Sequence, residues 1–79
     1  MRIANDSRYG LGGGIFSKDT KRARKLASQH FDTGMVCINT YNLAIPNMPF
    51  GGVKDSGYGR EHGGFGMKEF VNAKQIWIK

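Results

Sequence analysis

An α/β fold centred on a strand–helix–strand crossover is what this sequence predicts, from three observations. A glycine-rich stretch ending in apolar residues, LGGGIFS, precedes a segment whose apolar residues recur at helical spacing, and a short unbroken apolar run, MVCI, follows it. With short connections this order is a βαβ crossover, which should be right-handed and lay its helix over one face of a parallel sheet.

Residues 4–10, ANDSRYG, are rich in turn formers and predict a loop, in which Asn5, Asp6 and Ser7 can hydrogen-bond their own backbone. LGGGIFS predicts the first strand. Its three consecutive glycines are poor strand formers, so either another backbone or side chain packs very close to them or they form a plain flexible turn. Ser17 or Asp19 can cap the helix that runs to about Gln29, since either oxygen can accept from the free amides of the first turn. Ala23, Leu26, Ala27 and Phe31 form one apolar stripe, and Lys21, Arg22, Arg24, Lys25 and Gln29 fall largely outside it. Asp32-Thr33-Gly34 ends the helix, with Gly34 suited to a left-handed turn. Met35 to Ile38 is then apolar throughout, as strands buried on both faces of a parallel sheet are.

Residues 39–62 show no periodicity and carry Pro46, Pro49 and the glycines at 51, 52, 57 and 59. They predict a long loop, of a length that is usually functional when ordered. Residues 63–72, with Phe65, Met67, Phe70 and Val71, predict a short helix. Residues 74–79 alternate around Ile76, Trp77 and Ile78 and predict a terminal strand whose uncovered apolar edge invites pairing with another chain.

The chain has 79 residues, 39% of them hydrophobic, and twelve glycines. Burial against conformational entropy comes out near zero for such a chain, at about 1.5 kcal/mol per ordered residue, and two strands alone do not make a stable sheet. A piece of a larger protein is therefore expected. The net charge of +6 is concentrated between Lys18 and Lys25, where a charge run is ordinarily one solvated helix face. No apolar run approaches the roughly 18 residues that cross a bilayer and no signal peptide is spelled, which predicts a cytoplasmic protein with no membrane partner. A single cysteine, with His30 and His62 at no ligand spacing, predicts neither an internal disulfide nor a metal site.

Neither glycine cluster is a nucleotide loop. Gly10 and Gly12 would need a glycine at Ile15, Gly57 and Gly59 would need one at His62, and no Gly-Lys-Ser or Gly-Lys-Thr occurs. Cys37 in an apolar strand has its thiolate disfavoured by desolvation and is expected to pack rather than react. Asp55, Glu61 and Glu69 are too scattered for paired-carboxylate chemistry, and His62 reads as a solvated loop residue. Tyr41, Tyr58, Phe50 and Phe65 near basic residues allow an alternative, a small basic nucleic-acid-binding module stacking single strands, although no nucleic-acid motif is spelled.

Taken in order, ANDSRYGLGGGIFSKD, TGMVCINTYN, MPFGGVKDSGYGREHG and the alternating terminal strand resemble the carboxy-terminal end of NAD(P)-dependent aldehyde dehydrogenases, over residues 4–79. The resemblance implies a βαβ fragment of the catalytic domain with a long active-site loop and short helix in residues 1–72, and an oligomerisation strand in residues 73–79. It implies oxidation of an aldehyde to a carboxylic acid, with the nucleophilic cysteine, the glutamate base and the NAD- or NADP-binding glycines all in polypeptide absent from this chain. No residue here is then catalytic, and the fragment alone should not turn over. Cys37 matches an interior strand position where relatives often carry tryptophan, so it does not inherit the nucleophile's role. Asn42, Leu43 and Ala44 match the bend of the loop that lines the aldehyde tunnel, and Phe50 its aromatic wall. Ala44, where a bulky aromatic is frequent, and Pro46 shortly after it imply a roomier entrance. The partners implied are the remainder of the enzyme, a small aldehyde substrate, and further copies in a homodimer or homotetramer.

Overall fold

The computed structural model describes residues 1–42 and 44–79. Its centre is the crossover: strand β2 (Gly12–Ile15), helix α2 (Thr20–Gln29) and strand β3 (Met35–Ile38). The two strands pair in parallel, Gly12 opposite Met35 through Ile15 opposite Ile38. Asp19 caps the helix, its Oδ1 accepting the Arg22 amide at 3.0 Å, and the His30 amide closes the last turn on the Leu26 carbonyl at 2.9 Å. Ala23 is buried, with Leu26, Ala27 and Phe31 half-buried on the same stripe, and the basic residues of the helix are exposed.

Residues paired across a parallel ladder share a face, and successive residues alternate. Gly13 lies on the helix side: a Cβ there would run into the Phe31 ring, 2.9 Å from Cε1 and Cε2. Gly12 lies on the other side, where a Cβ would collide with the Asn42 amide. Close packing thus explains these two glycines, whereas Gly14 has only ordinary neighbours, the nearest being Phe16 at 3.8 Å.

Several expected loops are ordered by pairings between distant parts of the chain. Within the expected loop at 4–10, Tyr9–Gly10 form strand β1, and a short helix, α1 (Arg2–Asn5), precedes it. Strand β1 pairs antiparallel with β4 (Val53–Lys54), inside the expected loop at 39–62. The Asn5 side chain bonds the end of α2, donating to the His30 carbonyl at 2.6 Å and accepting the Asp32 amide at 2.9 Å. Lys54 Nζ donates to the Asn5 and Ser7 carbonyls at 3.1 and 3.2 Å. Gly34 is not left-handed. It is glycine because a Cβ would overlap the Gly51 carbonyl oxygen and sit 2.7 Å from Gly52 Cα.

The expected helix at 63–72 shrinks to one turn, α3 (Phe65–Lys68), flanked and interrupted by glycines whose ordering is entropically unfavourable. Residues 72–79 join no ladder, so the expected terminal strand is not formed within this chain: a strand needs a neighbouring backbone, and none is offered here. Ile76, Trp77 and Ile78 are 78–88% exposed.

Ala23 is the only hydrophobic residue fully withdrawn from solvent among the described residues. The accessible surface is 6930 Å², against about 4,800 Å² for a compact protein of this mass. The radius of gyration is 15.6 Å, against about 11.6 Å for a compact chain of this length. Both excesses describe an open chain with much of its apolar surface exposed.

Candidate functional site

On the face of β3 opposite α2 lies a cleft of about 470 Å³, lined by Met35, Cys37, Tyr41, Asn42, Ile45 and Met48 among others. Its floor is apolar because residues 35–38 are. Its far wall is the segment that doubles back after Asn39, a residue held at φ 59°. The Asn39 side chain fixes that reversal, accepting the Ser17 amide at 2.9 Å and donating to the Ser17 carbonyl at 3.0 Å. Three residues further on, Asn42 Oδ1 accepts from the Cys37 thiol at 2.7 Å.

A second hollow of about 560 Å³ is lined by Phe50, Ser56, Tyr58, Arg60, Glu61 and Glu69 with neighbouring glycines. Phe50 and Glu61 exchange paired backbone hydrogen bonds of 3.0 and 2.7 Å, which hold the Phe50 ring half-buried against His62 at a centroid distance of 5.8 Å. Behind the ring the glycine stretch is packed backbone. A Cβ on Gly52 would lie 2.7 Å from Ser56 Cβ and 3.1 Å from Leu11 Cα. Arg60 Nη1 ties the stretch together by donating to the Gly52 and Gly59 carbonyls at 2.9 and 2.7 Å, and Glu69 accepts the Arg60 amide at 3.3 Å.

Of the residues expected to form the tunnel wall, Asn42 therefore lines the first cleft and Phe50 the second hollow. Ala44 is exposed and lines neither. Leu43 lies outside the described residues. Sequence reasoning missed the residues that hold these walls, Asn39, Arg60 and Ser56, the last accepting the Gly10 amide at 2.9 Å. An arginine inside a glycine-rich stretch was the available signal, since such a stretch exposes carbonyls that need donors. His62 is not a solvated loop residue: it sits half-buried at φ 65°, with its Nδ1 buried and unpartnered among the described residues.

Among the described residues, Asp55, Glu69 and Cys37 do not converge on acid–base or nucleophilic chemistry. Asp55 pairs with Arg8 at 2.9 Å and Glu69 is engaged with the Arg60 backbone. Cys37 donates to an amide oxygen rather than to a base. Among the described residues no group of three or more His, Cys, Asp and Glu side chains could hold a metal ion. Nor are the start of α2 and the Gly10 and Gly34 amides free to take the pyrophosphate of a dinucleotide. The start of α2 is occupied by the Asp19 carboxylate, and the amides of Gly10 and Gly34 are already committed to Ser56 Oγ and the Gly10 carbonyl. No helix of the described residues is long and apolar enough to cross a membrane.

Residues 1–76 match the aldehyde dehydrogenase family. Over 76 residues the chain is 51% identical to succinate-semialdehyde dehydrogenase [NADP(+)] of Deinococcus radiodurans, covering 96% of this chain and 16% of that protein. Among solved structures it superposes on succinic semialdehyde dehydrogenase from Streptococcus pyogenes, in complex with NADP+, with a TM-score of 0.89 and 48% identity, covering 98% of this chain and 17% of that one. Betaine aldehyde dehydrogenase from Staphylococcus aureus, in complex with NAD+, gives a TM-score of 0.86 and 43% identity, covering 95% and 15%. The chain thus spans about a sixth of the length of the relatives it matches.

Proposed function

Because the chain belongs to the aldehyde dehydrogenase family, we propose that the protein of which it is part oxidises an aldehyde to a carboxylic acid with NAD or NADP, and that these residues supply a carboxy-terminal wall of the aldehyde tunnel together with a subunit contact. The nucleophile, the general base and the cofactor site then lie in other polypeptide of the same enzyme. The observation that carries this reading is the pair of hollows bordered by Asn42 and Phe50, where the Cys37 thiol is bonded to an amide and Asp55 is paired with Arg8.

In this role the segment acts by shape. Phe50, held by its backbone exchange with Glu61, presents a rigid aromatic edge that adds buried contact to a substrate and excludes bulk water. In a drier site, dipoles aimed at developing negative charge act more strongly. Asn42 borders the other hollow, beside β3, and the small Ala44 with Pro46 nearby leaves the entrance to that side roomy. The exposed Ile76, Trp77 and Ile78 provide the subunit contact, adding their strand to a sheet that continues into another copy of the enzyme in a dimer or tetramer.

Phe50→Ala in the full-length enzyme tests the wall. The expected result is a fall in kcat/KM for aldehydes of about tenfold or more, with KM for NAD or NADP changed by less than about twofold, because truncating a half-buried phenyl removes part of the roughly 3–5 kcal/mol of a fully packed ring, and the substrate shares in that loss. Unchanged specificity constants across several aldehydes would remove the assignment.

A further inference from the structure

Cys37 and Asn42 form a contact that the wall reading does not require. In the parallel ladder Gly12 pairs with Met35 and Gly14 with Cys37. These four residues therefore share one face, and Phe31 against Gly13 marks the opposite one as the helix face. The Cys37 thiol accordingly projects on the cleft side, half-buried, and donates to Asn42 Oδ1 at 2.7 Å. The other end of the same amide, Nδ2, lies so close to Gly12 that a Cβ there would displace it. Asn42 is thus seated across both strands, resting on Gly12 of one and bonded to Cys37 of the other. The reversal that brings it there is fixed at its start by the Asn39–Ser17 pair. One clamp sets where the chain leaves β3; the Cys37–Asn42 bond sets how far it folds back, and so the width of the cleft.

We propose that the Cys37 thiol is a positioning residue for aldehyde selectivity: by holding the Asn42 amide over Gly12 it fixes the bend that borders the substrate, without touching the substrate itself. This rests on the wall reading given above. A thiol suits the position because it donates a hydrogen bond while packing as a small apolar group in an otherwise apolar strand.

The test compares Cys37→Ala, which removes the donor, Cys37→Val, which removes it while filling the space, and Cys37→Ser, which keeps it, in the full-length enzyme. The quantity read is the ratio of kcat/KM for a narrow aldehyde, propanal, to that for a wide one, phenylacetaldehyde. The alanine and valine variants are expected to shift this ratio by about two- to tenfold, the range a single hydrogen bond carries, with serine restoring it to within twofold of the parent. Should alanine fail to fold, the valine and serine variants decide alone. A ratio unmoved by alanine and valine, or moved as far by serine as by them, overturns the proposal. Phe50→Ala separates the two ideas: if it lowers kcat/KM for the aldehydes while the Cys37 variants leave the ratio unmoved, the wall stands and the thiol's role falls; if it leaves kcat/KM for both aldehydes unchanged, the wall falls and this proposal with it.

Discussion

Gly34 and Gly51 meet backbone to backbone: a Cβ on Gly34 would overlap the Gly51 carbonyl oxygen and lie 2.7 Å from Gly51 C. The connection that leaves α2 is thereby pressed against the glycine stretch that follows Phe50. Both walls of the candidate site are referred to one point in the fold.

Gly34→Ala should therefore destabilise the full-length enzyme by about 1–3 kcal/mol or more, the cost of forcing an added carbon into a packed site. Gly64→Ala is the matched control, since nothing lies within 4 Å of its added carbon and its φ is −76°. It should be neutral or slightly stabilising, by up to about 1 kcal/mol, through the unfolded chain. Equal urea midpoints for the two variants would contradict the close approach.

Removing the cap of α2 by Asp19→Ala should cost about 1 kcal/mol, whereas Asp19→Asn should retain most of it, because the amide oxygen can still accept the Arg22 amide. Amide hydrogen exchange at Arg22 provides the reading. Equal protection in the parent and the alanine variant would show that the cap is not formed.

Lys54 is held at φ 55°, with Nζ donating to the carbonyls of Asn5 and Ser7 and lying 3.5 Å from the Asp32 carboxylate. Lys54→Met should cost about 1–2 kcal/mol, the value of partly exposed hydrogen bonds to a charged donor. Its loss should speed amide exchange at Asp55, whose N–H donates to the Arg8 carbonyl across the β1–β4 pairing. Unchanged exchange would show that the lysine does not hold the amino-terminal segment.

The isolated 79-residue chain should lack a sharp thermal transition, bind a hydrophobic dye, and release no burst of NADH when given NAD and a simple aldehyde. The single buried hydrophobic residue among the described residues offsets little of the entropy of ordering. A cooperative two-state transition would contradict this. In the full-length enzyme, deleting residues 75–79 should yield monomers or aggregates by light scattering, and an unaltered assembly would remove the subunit contact.

The crossover was legible because its signals are local. Asp19 sits where a helix starts, Ala23, Leu26 and Ala27 recur at helical spacing, and MVCI is apolar without interruption; each states its own conformation within a few residues. The β1–β4 ladder was not legible, since Tyr9 and Lys54 pair across a separation in sequence that leaves no periodic mark in two-residue strands. The same holds for Arg60, whose two carbonyl partners exist only once the glycine stretch has folded round it. Gly34 illustrates the intermediate case: the need for glycine could be read, but the reason is a neighbouring backbone rather than a left-handed turn. The terminal segment makes the opposite point, because alternation around Trp77 marks a strand-forming sequence while hydrogen bonding needs a second backbone that this chain does not provide.

By itself, then, the sequence determined the parallel crossover, the helix cap and the order of segments that carries the family, all of which follow from residue types at short spacing. Only the tertiary structure decided that Asn42 and Phe50 border separate hollows, that Gly12, Gly13, Gly34 and Gly52 mark close approaches, and that Cys37 bonds Asn42. Those relationships depend on which surfaces the chain brings within a few ångströms of one another, and a linear pattern does not encode that distance.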